Sequence, residues 1–216
     1  MKLITRIVTL TLIEEMLGTK PADPQVFSSY IASKHPDGSP QRDELESADR
    51  SEIQGTTGFH KDDQGPFIYD YQIRGFFKES AGFMRQVGDS QSSHLTAYKS
   101  KIDGLVFVNP RKIRLILPEG QTLGISERPL RAETQQGPRT ALVRSETVPA
   151  GTILKFEVQS LVKRFKGKGE KSVLFDDLLL EWLSYGALHG LGQWRNSGKG
   201  KFVHSVVDTD GQELTK

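Results

Sequence analysis

The chain has 216 residues, of which 36% are hydrophobic and 26% charged, a composition that favours one folded domain and excludes a chain disordered throughout. Its formal net charge of +2 is too small to indicate a polyanionic partner, so such a partner has to be inferred from local clusters of Lys and Arg. The chain has no cysteine, which excludes disulfides, thiolate zinc sites and cysteine nucleophiles, and no stretch reaches the ~20 apolar residues that span a bilayer, so we expect a cytoplasmic protein without membrane contact.

The chain opens with a predicted strand, which a long polar segment follows. Val8, Leu10 and Leu12 alternate with threonines, the period of two that is typical of a half-buried strand. Between residues 18 and 65 prolines and polar residues dominate and the periodicity is lost, so we predict a long N-terminal insertion within the domain, with a short helix at 23–33. Insertions of this length in compact domains are usually functional or disordered.

A strand, a glycine turn and a helix are predicted next. Residues 67–73 are of β type, 74–75 form the turn, and the apolar residues of 76–85 fall on one helical face. Lys78 and Arg85 share a different face of this helix. The predicted helix therefore presents two cations away from its buried side.

Further strands and a hairpin are predicted in the middle of the chain. Residues 105–108 and 113–117 are apolar runs bounded by turn formers, which indicates two short strands. The polar, Arg-rich segment 121–148 is predicted to form a protruding β-hairpin. Residues 152–161 alternate again and predict another core strand.

The last part of the chain contains a basic turn, a second helix and a final strand. Lys163 and Arg164 open the basic turn, whose embedded Phe165 suits it to phosphate contacts and base stacking, although such runs are more often charged surface turns. Apolar spacing predicts a helix over 173–188, and β-type residues predict a strand over 202–207.

A glycine-rich, basic loop lies between this helix and the last strand. Glycines let backbone N–H groups approach a ligand closely, and the neighbouring cations and polar side chains make phosphate the natural ligand. These residues are Gly190, Gly192, Arg195, Asn196, Ser197, Gly198, Lys199, Gly200 and Lys201. The alternative is that the glycines only turn the chain and the cations are solvated. A nucleotide P-loop is disfavoured, because that loop lies between a strand and a helix in the opposite order.

Three segments resemble sequence elements of the RAMP proteins (repeat-associated mysterious proteins) of CRISPR systems. Residues 190–202, after an amphipathic helix, resemble the carboxy-terminal glycine-rich segment of the family. Residues 73–85 are similar to the element that opens the first family helix, and 146–156 are similar to the Pro-x-Gly-Thr-x-Phe entry to a family strand. The pattern is closest to the backbone subunits of class 1 effector complexes.

The resemblance implies a fold and a function. The fold is a single α+β domain over 1–216 with ferredoxin-like (RRM-like) topology, in which two helices pack on an antiparallel sheet with the insertion 18–65 and the hairpin 121–148. The function is to hold guide or single-stranded RNA through its phosphate backbone in a CRISPR-type antiviral ribonucleoprotein, beside copies of itself or related subunits and without a cofactor or metal. The RNA-binding residues expected are Lys78, Arg85, Lys163, Arg164, Gly192, Arg195, Asn196, Gly198, Lys199 and Lys201.

Two other functions remain open. Some members of the family cut RNA, and a metal-independent endoribonuclease would use Asp23, Asp37 or His60, each of which has a commoner structural interpretation. The five histidines show no metal-ligand spacing, and the residues favour a role without catalysis. The other function is that of a phage or host assembly protein that uses the same fold only for protein contacts.

Overall fold

A computed structural model describes residues 3–21, 57–134, 137–169 and 171–214 of the chain. Over these residues the protein is a mixed α+β structure with mainly antiparallel sheets and four α-helices. The strands are β1 (Ile4–Leu12), β2 (Met16–Leu17), β3 (Lys20–Pro21), β4 (Thr57–Gly58), β5 (His60–Asp62), β6 (Gly65–Tyr69), β7 (Val106–Asn109), β8 (Lys112–Arg114), β9 (Gly124–Thr134), β10 (Gly137–Val148), β11 (Ile153–Ser160), β12 (Arg164–Lys166), β13 (Ser172–Leu174) and β14 (Phe202–Val207). The helices are α1 (Asp70–Met84), α2 (Gln91–His94), α3 (Tyr98–Leu105) and α4 (Phe175–His189), and a 3-10 helix spans Arg195–Ser197.

The central sheet has the strand order β14-β1-β11-β7, and every neighbouring pair is antiparallel. β1 lies in the middle, with Val8 opposite Phe156 of β11 and Leu10 opposite His204 of β14. The alternation of β1 buries Val8, Leu10 and Leu12 on one face, because successive side chains of a strand point to opposite sides. The strands predicted around residues 7–12, 152–161 and 202–207 are therefore the core of this sheet.

The helices α1 and α4 pack together on the buried face of the central sheet. The ring of Phe77 lies 5.5 Å from that of Trp182, and both side chains are fully buried. At Gly186 the two helices approach so closely that a Cβ atom there would lie 2.1 Å from Cζ of Phe76. The two helices thus contact each other through the large rings of Phe77 and Trp182, and they come close at Gly186 because glycine has no side chain.

The predicted start of the first helix is wrong. The strand ends at Tyr69 and α1 begins at Asp70, so the predicted glycine turn at 74–75 lies inside the helix. The Tyr69 N–H donates to Oε1 of Gln72 at 2.9 Å, a capping contact that begins the helix, and Asp70 is favourably placed in its first turn. The β-type residues of 71–73 misled the prediction because Ile73 is buried by a helical face and not by a sheet.

Smaller sheets surround the core. β9 and β10 pair along their length from Gly124 opposite Thr147 to Thr134 opposite Gly137, and β10 also pairs with β2 and β4. β5, β6 and β8 form a second small sheet, and β12 and β13 form a two-stranded one. Most of the predicted insertion, including the helix at 23–33, lies outside the described residues.

Candidate functional site

The glycine-rich loop between α4 and β14 is held close to neighbouring backbone. Gly192 and Gly200 have positive φ values of 80° and 72°, and a Cβ atom at Gly200 would lie 1.9 Å from the carbonyl oxygen of Leu191. At Gly192 it would lie 2.4 Å from the carbonyl oxygen of Leu17. Both positions therefore require glycine for the path and packing of the chain itself.

Several amides of this loop donate hydrogen bonds inside the protein. The Leu191 N–H donates to the Gly200 carbonyl at 2.9 Å, and the Gly200 N–H donates to the Glu15 carbonyl at 2.8 Å. The Gln193 N–H donates to Leu17 at 3.3 Å. These amides cannot also donate to a phosphate, so an anion at this loop would be held mainly by side chains.

Arg195 fastens the loop to helix α1. Its Nη1 and Nη2 donate to the two carboxylate oxygens of Glu79 at 2.7 and 2.9 Å, and His189 Nε2 lies 3.4 Å from Glu79 Oε1. Partial burial acts to raise the pKa of Glu79, but Arg195 and His189 outweigh it and hold that pKa below its ordinary value. The loop and α1 are thus neighbours, and the charge of Arg195 is already balanced.

A cleft of about 250 Å³ lies between α1, the glycine-rich loop and β2. Its walls are mostly apolar, with Gln72, Glu79 and Arg195 as its longest polar side chains. Gln72 is itself engaged, because its Nε2 donates to Oγ1 of Thr19 at 2.8 Å. The cleft does not identify a ligand. It shows that α1 and the glycine-rich loop border one concave surface.

Three other cations predicted to bind RNA lie on the two elements that border the cleft, Lys78 and Arg85 on α1 and Lys199 in the glycine-rich loop. Lys78 pairs with Asp103 at 2.7 Å, and Lys199 pairs with Glu15 at 2.7 Å. The guanidinium carbon of Arg85 lies 5.0 Å from the ring centre of Tyr98. Ion pairs as exposed as Lys78–Asp103 contribute roughly 0–1 kcal/mol, so a phosphate can replace the carboxylate at little cost.

The hairpin of β12 and β13 carries the densest group of cations. Lys163, Arg164, Lys166 and Lys168 are exposed, while Phe165 between them is buried in the core. In the described parts of the chain these cations form no ion pair with a carboxylate. Phe165 therefore anchors the hairpin and is not free to stack on a base, whereas its neighbours present unbalanced positive charge.

Helix α3 connects this hairpin to α1. Lys101 contacts the carbonyl oxygen of Lys166 through its Nζ, and Lys99 lines a shallow groove with Lys78 and Gly82 of α1. Burial and the nearby charge of Lys166 lower the pKa of Lys101. We define the basic surface as the cations of α1, α3 and the β12–β13 hairpin, which are Lys78, Arg85, Lys99, Lys101, Lys163, Arg164, Lys166 and Lys168.

The sequence prediction missed Lys99 and Lys101. Their spacing of two puts them on different sides of α3, one toward α1 and the other toward β12. A Lys-x-Lys pattern in a polar helix is too common to indicate a site. Lys101 is joined to the predicted basic turn by its tertiary contact with Lys166, and Lys99 lies on the side of α1.

Of the three catalytic candidates, His60 lies within the described residues. Asp23 and Asp37 lie outside the described residues. His60 is only 4% exposed, and its ring centre lies 5.7 Å from that of Phe67 and 4.7 Å from that of Tyr69. Within the described segments no three His, Asp or Glu side chains are placed to hold a metal ion. His60 thus occupies the environment of a core histidine.

No family model matches the chain, and a search of curated proteins gave no match. None of the helices in the described residues is long and apolar enough to cross a membrane.

Proposed function

We propose that the chain is an RNA-binding protein that holds guide or single-stranded RNA through its phosphate backbone. The observation that carries this proposal is the basic surface, in which cations from three elements adjoin and Lys101 and Lys166 lie close together. Such like charges repel each other in the free protein, and a polyanion relieves the repulsion. Lysine and arginine contacts of this kind fix a strand without reading its sequence.

We further propose a ferredoxin-like (RRM-like) fold of the RAMP type. Support comes from the strand order β14-β1-β11-β7 with antiparallel neighbours, in which α1 lies between β1 and β7 along the chain and α4 lies between β11 and β14. Split β-α-β units of this kind are the repeating unit of that fold. The resemblance of 73–85 and 190–202 to RAMP elements falls on α1 and on the loop that Arg195 ties to it.

The test is RNA binding at increasing salt. If a single strand engages about half of the basic surface, close to four phosphates, log K falls with a slope near −3 against log salt, and affinity drops about 50-fold between 50 and 200 mM. Fluorescence anisotropy with a labelled 20-nucleotide RNA measures both quantities. Absence of binding at 50 mM salt, or binding that salt leaves unchanged, contradicts the proposal.

Charge variants identify the surface used. Lys163→Gln combined with Lys166→Gln is expected to weaken binding several-fold and to reduce the salt slope by about 1.4, or 0.7 for each lost contact. The matched control is Lys155→Gln combined with Arg144→Gln, which removes two exposed cations outside the basic surface. Equal loss in both variants would show that net charge, and not this surface, determines binding.

We also propose that several copies, or related subunits, assemble along one RNA. Light scattering of complexes with 10- and 40-nucleotide RNA measures the number of chains per strand. The longer RNA is expected to hold more than one chain. A single chain on both RNAs contradicts the assembly and leaves the RNA binding itself intact.

A further inference from the structure

A buried arginine without a carboxylate partner lies where the β9–β10 hairpin meets the glycine-rich loop. Arg128 of β9 is 6% exposed, and its Nη1 donates to Oγ of Ser145 at 3.2 Å. Its Nε is buried without a hydrogen-bond partner, and no carboxylate of the described residues pairs with it. A buried, permanently charged guanidinium without a counter-ion is unfavourable, so the position favours binding of an anion.

Trp194 of the loop covers this arginine. The guanidinium carbon of Arg128 lies 4.8 Å from the centre of the Trp194 ring, within cation-π distance. Trp194 has φ 58°, a left-handed conformation that is costly for a bulky residue, and its side chain is 39% exposed. The loop thus holds a large aromatic ring at the surface over a buried cation.

The Ser145 hydroxyl that accepts from Arg128 is linked to two further neutral hydrogen-bonding groups, Thr57 and Gln193. Oγ1 of Thr57 donates to Oγ of Ser145 at 2.8 Å and lies 3.3 Å from Oε1 of Gln193. The nearest acidic neighbour along β10, Glu146, is engaged elsewhere, because it accepts from the Phe59 N–H at 3.0 Å and pairs with Lys61. Hydroxyl and guanidinium groups together are typical ligands of phosphate.

We propose that Arg128, Ser145 and Trp194 form a nucleotide subsite for the bound RNA strand. The guanidinium, which the fully buried Ser145 hydroxyl holds in place, binds one phosphate, and the exposed part of the Trp194 ring stacks on an unpaired base. The inference rests on the proposed function and adds to it a base-stacking position outside the basic surface. Trp194 directly precedes Arg195, so the subsite and the α1 contact lie on one continuous loop.

Tryptophan fluorescence tests the stacking directly. The chain has two tryptophans, and Trp182 is fully buried with its Nε1 donating to Ser92 at 3.0 Å, so Trp194 is the one that reports on a ligand. Titration with a 10-nucleotide oligouridylate is expected to quench the emission of the wild-type protein. The residual emission of Trp194→Phe, which comes from Trp182, is expected to stay constant while RNA still binds.

Affinity measurements test the phosphate contact. Arg128→Gln and Trp194→Ala are each expected to lower RNA affinity about tenfold, whereas Arg144→Gln, an exposed cation on the same hairpin, is expected to change it less than twofold. If Arg128→Gln does not fold by circular dichroism, Trp194→Ala still tests the subsite through its stacking position, which is half-exposed. Titrations with uridine monophosphate and with inorganic phosphate show whether a free anion is enough.

The outcomes separate the two proposals. Salt-dependent RNA binding without quenching, and with unchanged affinity in both variants, overturns the subsite and leaves the proposed function standing. Absence of RNA binding overturns both. Quenching by uridine monophosphate in a protein that does not bind RNA overturns the RNA subsite and assigns these residues to a free nucleotide.

Discussion

Two helical glycines provide a sharp test of the packing between α1 and α4. An alanine Cβ at Gly186 would lie 2.1 Å from Cζ of Phe76, 2.4 Å from Cε2 of the same ring and 3.0 Å from Cζ of Phe202. At Gly75 of α1, in contrast, no atom outside the adjacent residues and the backbone of the helix itself lies within 4 Å of an added Cβ. The same substitution therefore meets a packed ring in one helix and open space in the other.

The expected effects have opposite signs. Alanine stabilises a helix interior relative to glycine by about 0.5–1 kcal/mol, which is the expected gain in the free energy of unfolding for Gly75→Ala. At Gly186 this gain is outweighed, because the Phe76 ring is buried against Phe77 and Phe202 and can move only by displacing them. Overpacking of this kind costs about 1–3 kcal/mol, so we expect a net loss of about 1–2 kcal/mol.

Urea unfolding followed by circular dichroism measures both variants. The midpoint is expected to rise for Gly75→Ala and to fall for Gly186→Ala at an unchanged slope, and thermal midpoints should move by about 2–4 °C per kcal/mol for a chain of this size. A higher midpoint for Gly186→Ala would show that the two helices do not approach as closely as described and would contradict this prediction.

Three further predictions concern charged groups. Glu79→Gln releases Arg195 from its carboxylate, so we expect RNA affinity to rise about twofold with a steeper salt slope; a weaker affinity would instead show that the pair positions the loop. The pKa of Asp62 is lowered to about 2 from 3.8, chiefly by its hydrogen bonds to Arg114. The contribution of Asp62 to the free energy of unfolding is therefore fully present above pH 3.8 and is lost as the pH falls through 2. Asp62→Asn should therefore destabilise the protein by about 1 kcal/mol at pH 6 in urea unfolding, and the difference from wild type should vanish near pH 2. Burial lowers the pKa of His204 below 6.5, so protonation disfavours the fold; wild-type stability should fall below pH 6.5, and His204→Gln should remove that part of the pH dependence.

The sequence predicts the core sheet and the second helix because their patterns are strong and local. Val8, Leu10 and Leu12 alternate without interruption, and their burial follows the alternation residue by residue. The buried stripe of α4 includes Trp182 and Leu183 as predicted. The predicted start of α1 is wrong because β-type residues follow Asp70. Tertiary burial of Ile73 on the helix overrides the local preference of these residues for a strand.

The candidate site is less predictable, because its determinants are distant in sequence. Glycine count and nearby cations identify the loop, but they do not reveal that Gly200 and Gly192 are needed for close backbone contacts. The partner of Arg195 is 116 residues away, on a helix in which the sequence prediction singled out the cations Lys78 and Arg85 and not Glu79. Arg128 stands out only once its burial is known, since nothing in the sequence distinguishes it from other arginines of the hairpin.

The central place of β1 has a consequence during synthesis on the ribosome. Its two partners in the sheet come from the last third of the chain, and Thr11 pairs with Val203, about 190 residues later. At about 5–20 residues per second, the apolar side of this first strand waits roughly 10–40 s for its final neighbour. Throughout that interval the edge of β1 that β14 later covers has no partner strand, and an unpaired strand edge is a template for aggregation.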